Sequence, residues 1–300
     1  MRVASVAGWV VMACAEFSAC AGLSACAPLP ASATRDPMHA SRAIAHAGYL
    51  APQAVPDSVA ILPPPPQAGS AAQALDDAVS RQDLALRGSD RWNLARQDAD
   101  IGFPSGAGIF ACALQAPITP QDTPALYRLL RKSLVDAGAS PGAAKRHYHR
   151  PRPFAINHQP TCTPAVGGSY PSGHSTAGWT WALILAEVAP DRATAILQRG
   201  RAYAESRLVC NVHWYSDTIA GQTLGAATVA ALHRSQEFRD DVEKAEREVA
   251  QAHSRALAPH RDCQAEARAL AEHSPATIRE DTGAAPRGAP SGAHSIDPVN

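Results

Sequence analysis

The chain has 300 residues, room for one large domain or two small ones, and its 27 Lys and Arg offset its 27 Asp and Glu to a formal net charge of zero. That balance excludes a nucleic-acid binder working through a basic surface, and equally an acidic disordered chain. With 46% hydrophobic residues, many of them alanine, and only 5% aromatics, the chain can bury a sizeable core, and alanine's propensity makes that core helical.

Residues 1–33 read as a leader. Met1-Arg2 gives a minimal positive start, an apolar stretch runs from Val3 to Ala15, and Ala31-Ser32-Ala33 fits a small-residue cleavage site. A second reading stands beside it: Leu23-Ser24-Ala25-Cys26 resembles the lipobox of bacterial lipoproteins, in which Cys26 is lipidated and becomes the first residue. Both predict export, to the periplasm, in soluble or lipid-anchored form, and a lipid on Cys26 would be the chain's membrane attachment. The apolar stretch is followed by Glu16 and falls short of the roughly 20 residues a membrane span needs. Residues 34–66, ending in Pro63-Pro64-Pro65-Pro66, predict an extended arm of polyproline type.

Between 67 and 257 the apolar spacing is helical. It predicts helices over 71–87, over 89–100, and over 124–137, where Leu126, Leu129, Leu130 and Leu134 fall three or four apart. Residues 175–189 are apolar almost all round, which predicts a central buried helix closed by Pro190. Further helices are expected over 192–206, over 218–233, where Gly and Ala permit close approach, and over the charged 237–257. No alternating strand pattern appears, so the expected fold is all-α, a compact helical bundle over 67–257. Residues 258–300 turn polar and predict a disordered tail. Beyond the three cysteines of the leader region, Cys112, Cys162, Cys210 and Cys263 permit two disulfides in an oxidising compartment, with three connectivities open. The absence of any CxxC leaves zinc ribbons and thioredoxin chemistry without support.

Three segments carry chemistry. In Lys145-Arg-His-Tyr-His-Arg-Pro-Arg152-Pro153 the prolines enforce an extended path, along which Lys145 and Arg152 can converge on one anion; a solvated basic loop is the plainer reading. Gly168-Ser-Tyr-Pro-Ser172-Gly173-His174 feeds the apolar helix, and unsatisfied N–H groups at a helix start, with glycine allowing close approach, form an anion site; a simple Ser172 N-cap is the alternative. In Ser206-Arg207, His213 and Asp217, a helical spacing of four would let the carboxylate accept from the imidazole and free its Nε2 as a nucleophile, while Arg207 offers a fork for phosphate oxygens.

Together the segments read Lys-x6-Arg-Pro, Pro-Ser-Gly-His and Ser-Arg-x5-His-x3-Asp, which resembles the signature of the type 2 phosphatidic acid phosphatase and vanadium haloperoxidase superfamily. The Gly168–His174 stretch, the Leu62-Pro-Pro-Pro-Pro arm, Pro124-Ala-Leu-Tyr127 and Cys210–Asp217 narrow the resemblance to the class A bacterial non-specific acid phosphatases, with Ser175 where that class usually has Thr. The resemblance spans roughly 60–257. It implies a metal-independent acid phosphatase without cofactor, acting on small phosphomonoesters with broad specificity, inhibited by vanadate and self-associating. It implies His213 as the nucleophile, Asp217 as its orienting carboxylate, His174 as the leaving-group acid and then the base for water, and Lys145, Arg152, Ser172, Gly173 and Arg207 as the phosphate cradle. No Asp/Glu cluster in these segments suits a divalent ion, and two histidines in opposite charge states favour mildly acidic operation. Cys162 and Cys210 each lie just ahead of a site segment, where a bridge between them would pin both loops. Three alternatives share these residues: a vanadium-dependent haloperoxidase, which halide oxidation would reveal; an integral-membrane lipid phosphatase, which lacks its spans here; and a non-catalytic exported anion-binding lipoprotein, which needs no free nucleophile.

Overall fold

The computed structural model describes residues 48–272, so the leader reading of 1–33, Cys26, the first part of the proline-rich arm and residues 273–300 lie outside the described residues. The described residues are helical, without a strand. In chain order the α-helices are α1 (Ser58–Ile61), α2 (Ala71–Leu84), α3 (Asp90–Asp98), α4 (Ala111–Leu114), α5 (Pro124–Ala139), α6 (Gly142–Tyr148), α7 (Pro153–Asn157), α8 (Gly173–Val188), α9 (Ala193–Val209), α10 (Tyr215–Leu232), α11 (Gln236–Ser254) and α12 (Cys263–Ala271). None is long and apolar enough to cross a membrane.

Local chemistry sets the boundaries. The hydroxyls of Ser70, Ser89, Ser172 and Ser235 accept the N–H of Gln73, Trp92, Ser175 and Phe238, capping α2, α3, α8 and α11. Pro124 opens α5, where a missing N–H costs nothing, and Pro190 stands two residues past the end of α8. The apolar run expected to be central is α8, which packs against α5, α9 and α10. Trp181, Ile184 and Leu185 of α8 are fully buried with Leu126, Leu129 and Leu130 of α5, Ile196 of α9 and Phe238 of α11. Each such side chain stabilises the fold by about 1.5–3 kcal/mol, and the Trp181 indole also donates to the Leu130 carbonyl at 3.0 Å. A Cβ on Gly221 of α10 would lie 2.6 Å from the Ser172 carbonyl oxygen and 2.8 Å from the Ser175 Cβ. Glycine therefore lets α10 press directly on the start of α8, where the Pro-Ser-Gly-His segment sits.

Two sequence expectations are corrected. The tail is not disordered from 258: α12 is capped by Asp262, tied to Cys112 through Cys263, and carries a buried Glu266 paired with Arg199 and Arg261. The polar composition that suggested solvated chain is consumed in ion pairs, with Arg199 also held by Asp98 at 2.6 Å. The arm is not extended throughout either. Within 48–66, α1 forms one capped turn, the Tyr49 and Leu50 amides donate to Asp136 at 2.8 and 3.1 Å, and the Pro63 carbonyl accepts from the Tyr170 hydroxyl at 2.6 Å. The extended path persists at the proline run after Leu62.

Candidate active site

The three segments meet where α6, the loop after α7, the start of α8 and the α9–α10 connection come together. Backbone bonds lock them: the Ser169 amide donates to the Arg150 carbonyl and the Ser172 amide to the Asp217 carbonyl, both at 2.9 Å. Cys162 and Cys210 are bridged, tying the same loop to the end of α9.

Lys145, in the last turn of α6, donates to the Gly168 carbonyl at 2.8 Å. Arg152 stands at the N-cap position of α7 and spreads its guanidinium over the carbonyls of Gly167 (3.0 Å), Val166 (2.9 Å) and Val212 (2.7 Å). Its Nη1 also lies 3.1 Å from His213 Nε2. His213 is not on a helix, so the helical form of its spacing with Asp217, left conditional in the sequence, is not the one adopted. It ends the α9–α10 loop, while Asp217 stands in the first turn of α10 and accepts the Trp214 N–H at 2.8 Å. The two still meet, Nδ1 to Oδ2, at 3.4 Å, because the turn into α10 folds the ring back over the carboxylate. With Nδ1–H directed at Asp217, the Nε2 lone pair is left facing Arg152.

Ser172 is the N-cap of α8, accepting from the Ser175 amide at 3.2 Å and from the Ser175 hydroxyl at 2.9 Å, and keeps its own hydroxyl proton to donate. Gly173 and His174 open the helix, where N–H groups lack intrahelical acceptors. His174 Nε2 lies 3.0 Å from the Ala99 carbonyl. A carbonyl only accepts, so Nε2 carries hydrogen and the nitrogen that gains or loses a proton is Nδ1. Arg207, in the last turn of α9, is 2% exposed, and its Nε and Nη1 have no hydrogen-bond partner among the described residues.

Charge ties the group together. Burial lowers the Lys145 ammonium to about 8, with Arg152 adding repulsion. Burial lowers Arg207 to about 10, again with Arg152 contributing. His213 is held well below the ordinary imidazole value, first by burial and then by Arg152, Lys145 and Arg207. His174 is depressed likewise by burial, Arg207, His213 and Arg152. Burial pushes the Asp217 carboxyl up, and Arg150 and the Trp214 N–H pull it back. Lys145, Arg152, His174, Arg207 and His213 thus share one electrostatic field, with Asp217 as the carboxylate inside it. A cluster with half-buried Lys145 and Arg152 beside a buried Arg207 whose Nε and Nη1 donors are unpaired is suited to an anion.

Sequence reasoning missed the layer beneath. Arg150 is buried and bonds Asp217 Oδ1, Ser216 and Asp76 at 2.7 Å each and Gln73 at 2.8 Å. Its signal was present, two residues before Arg152, but a basic run does not show which guanidinium faces inward. The Ala99 carbonyl has no side-chain signal at all. His147, His149 and His158 are exposed, and Tyr170, Trp181 and Trp214 are buried.

Comparison with known proteins gives the same direction. A family model described as the PAP2 superfamily matches residues 128–241. The chain is 43% identical over 209 residues to a protein of Zymomonas mobilis subsp. mobilis named acid phosphatase, covering 68% of this chain and 79% of that one. It is 38% identical over 209 residues to a non-specific acid phosphatase of Providencia stuartii, covering 67% and 84%. It is 35% identical over 208 residues to one of Salmonella typhimurium, covering 67% and 83%.

Proposed function

The chain belongs to the PAP2 superfamily and is an acid phosphatase, and from that premise we propose that it hydrolyses phosphate monoesters of broad alcohol class, without a metal, through a phosphohistidine on His213. The observation that carries the reading is the buried Arg207 fork with two unpartnered nitrogens, in one field with Lys145, Arg152 and both histidines.

In the first step the Nε2 lone pair of His213 attacks phosphorus in line. The bond from phosphorus to the alcohol oxygen breaks, and His174 Nδ1 delivers its proton to that oxygen. Asp217 steadies the imidazolium that forms. Lys145, Arg152 and Arg207, with the Ser172 hydroxyl and the Gly173 amide, hold the equatorial oxygens, supplying the positioning and charge neutralisation that phosphoryl transfer requires. In the second step water attacks phosphorus, His174 takes its proton, the phosphorus–nitrogen bond breaks and His213 is restored. In the free protein burial, and after it Arg207, His213 and Arg152, hold His174 neutral; a phosphate dianion among the cations opposes their share and favours its proton, which suits acidic operation. Export belongs to the same reading, since the two bridged cysteine pairs suit an oxidising compartment.

The test is a rapid quench into base, which preserves a phosphorus–nitrogen bond, after mixing with a 32P-labelled monoester. Wild type is expected to carry label on His213, and His213→Ala none. Activity should survive a chelator and fall with vanadate, without halide oxidation on vanadate loading. Unlabelled wild type during turnover refutes the intermediate, and loss of activity to a chelator that added metal restores refutes metal independence.

A further inference from the structure

We infer that Tyr203 is a positioning residue for His174: its ring backs the imidazole and holds the plane in which Nδ1 meets the leaving oxygen. This rests on the reading of His174 as the leaving-group acid. Tyr203 lies on α9, one turn before Arg207, and is fully buried. Its ring centroid is 6.4 Å from that of His174, with 29° between the planes, an offset stack. The hydrogen bond from Nε2 to Ala99 fixes one corner of the imidazole but leaves the ring free to swing about that contact. A flat neighbour removes this freedom.

The packing around Tyr203 is built for that neighbour. Gly178 stands one turn after His174 on α8, and a Cβ there would overlap Cδ1 and Cε1 of the tyrosine. The glycine opens the space that brings the ring up beside His174. Phe110 supports the tyrosine at 6.3 Å between centroids. The Tyr203 hydroxyl is buried without a hydrogen-bond partner among the described residues, so the ring, and not the hydroxyl, sets its place.

A positioning role for an acid has a signature that a structural role lacks. A leaving group that departs as a stable anion needs little protonation, whereas an alkoxide needs much. The experiment compares kcat/KM for 4-nitrophenyl phosphate and for glycerol 2-phosphate. Tyr203→Leu is expected to lose on the order of tenfold on the alkyl ester, part of the 10²–10⁴ a general acid contributes, and little on the aryl ester. Tyr203→Phe should keep the wild-type ratio. Gly178→Ala, which displaces the ring from the other helix, should reproduce the Leu pattern and carries the test should Tyr203→Leu fail to fold. Equal losses on both substrates, or none, overturn the inference. His174→Ala separates the two levels: if its loss is the same on both esters the acid reading itself fails, and if only His174→Ala is selective the role of Tyr203 fails alone.

Discussion

Replacing Arg150 by Met removes one buried cation that serves two buried carboxylates. The Arg150 side chain is 6% exposed, those of Asp76 and Asp217 1% and 0%, and each carboxylate is reached at 2.7 Å. Deleting one partner of a buried ion pair costs about 3–5 kcal/mol, and with two carboxylates affected the upper end is expected, a large share of the roughly 5–15 kcal/mol that holds a domain together. The pH dependence follows from Asp217. Burial already raises its carboxyl, and Arg150 is foremost in opposing that rise. A carboxyl whose folded pKa exceeds its unfolded value of about 3.9 destabilises the fold above the folded pKa and ceases to do so below the unfolded one. The deficit of Arg150→Met is therefore largest near neutrality and shrinks as the pH approaches 4. On the proposed mechanism activity should suffer as well, because a protonated Asp217 could not stabilise an imidazolium on His213; kcat/KM should drop by about 10²–10⁴, the upper figure being the loss when a triad carboxylate is neutralised. Urea denaturation at pH 7 and pH 5, with kcat/KM on 4-nitrophenyl phosphate, checks both. A variant within about 1 kcal/mol of wild type, with unchanged turnover, would refute the argument, since it would show the pair to be worth no more than a surface contact.

Other outcomes follow from the same geometry. Because Lys145 is lowered to about 8, the KM for a phosphomonoester should rise as the pH passes that value, and Lys145→Arg should move the rise to higher pH. His174 and His213 are both held well below the free imidazole value of about 6.5. They are neutral in the fold, so stability should fall as the pH drops below about 6.5, by up to about 1.4 kcal/mol per pH unit for each ring until its folded pKa is reached; urea midpoints read the loss, and saturating phosphate should reduce it. Gly221→Ala, with its Cβ at 2.6 Å from the Ser172 carbonyl, should cost about 1–3 kcal/mol and raise KM by shifting the start of α8. Cys263→Ser frees α12 from Cys112 and should lower stability by about 2–5 kcal/mol in non-reducing urea titrations.

Much of this was legible in the amino-acid sequence, and where it was not the reason is physical. α5 and α8 were read correctly because their apolar spacing reports burial directly. The three segments could be picked out because they carry basic, Ser-Gly-His and His/Asp side chains at fixed spacing, and the fold brings them together. The spacing of four between His213 and Asp217 left open whether they share a helix, because that spacing serves a turn into a helix as well as a helix. α12 was missed because polarity was counted residue by residue, while Glu266, Arg261 and Arg199 cancel one another only in three dimensions. Arg150 and Ala99 were missed for a related reason: one differs from its basic neighbours only in the direction it faces, and the other acts through a carbonyl that every residue possesses.

The way the cations are held bears on how such a site can exist before an anion arrives. Three positive groups, Arg207 buried and Lys145 and Arg152 half-buried, repel one another and raise the energy of the fold, and direct carboxylate partners would relieve it. They would also compete with substrate, because an ion pair must be broken before phosphate can bind. Here Lys145 is held by the Gly168 carbonyl and Arg152 by those of Val166, Gly167 and Val212, while Asp217 is bonded to Arg150. Carbonyl dipoles orient the donors without cancelling their charge. On the mechanism proposed above, the repulsion that remains is what a phosphoryl group would relieve, beside the Arg152 guanidinium and the His213 nitrogen 3.1 Å from it.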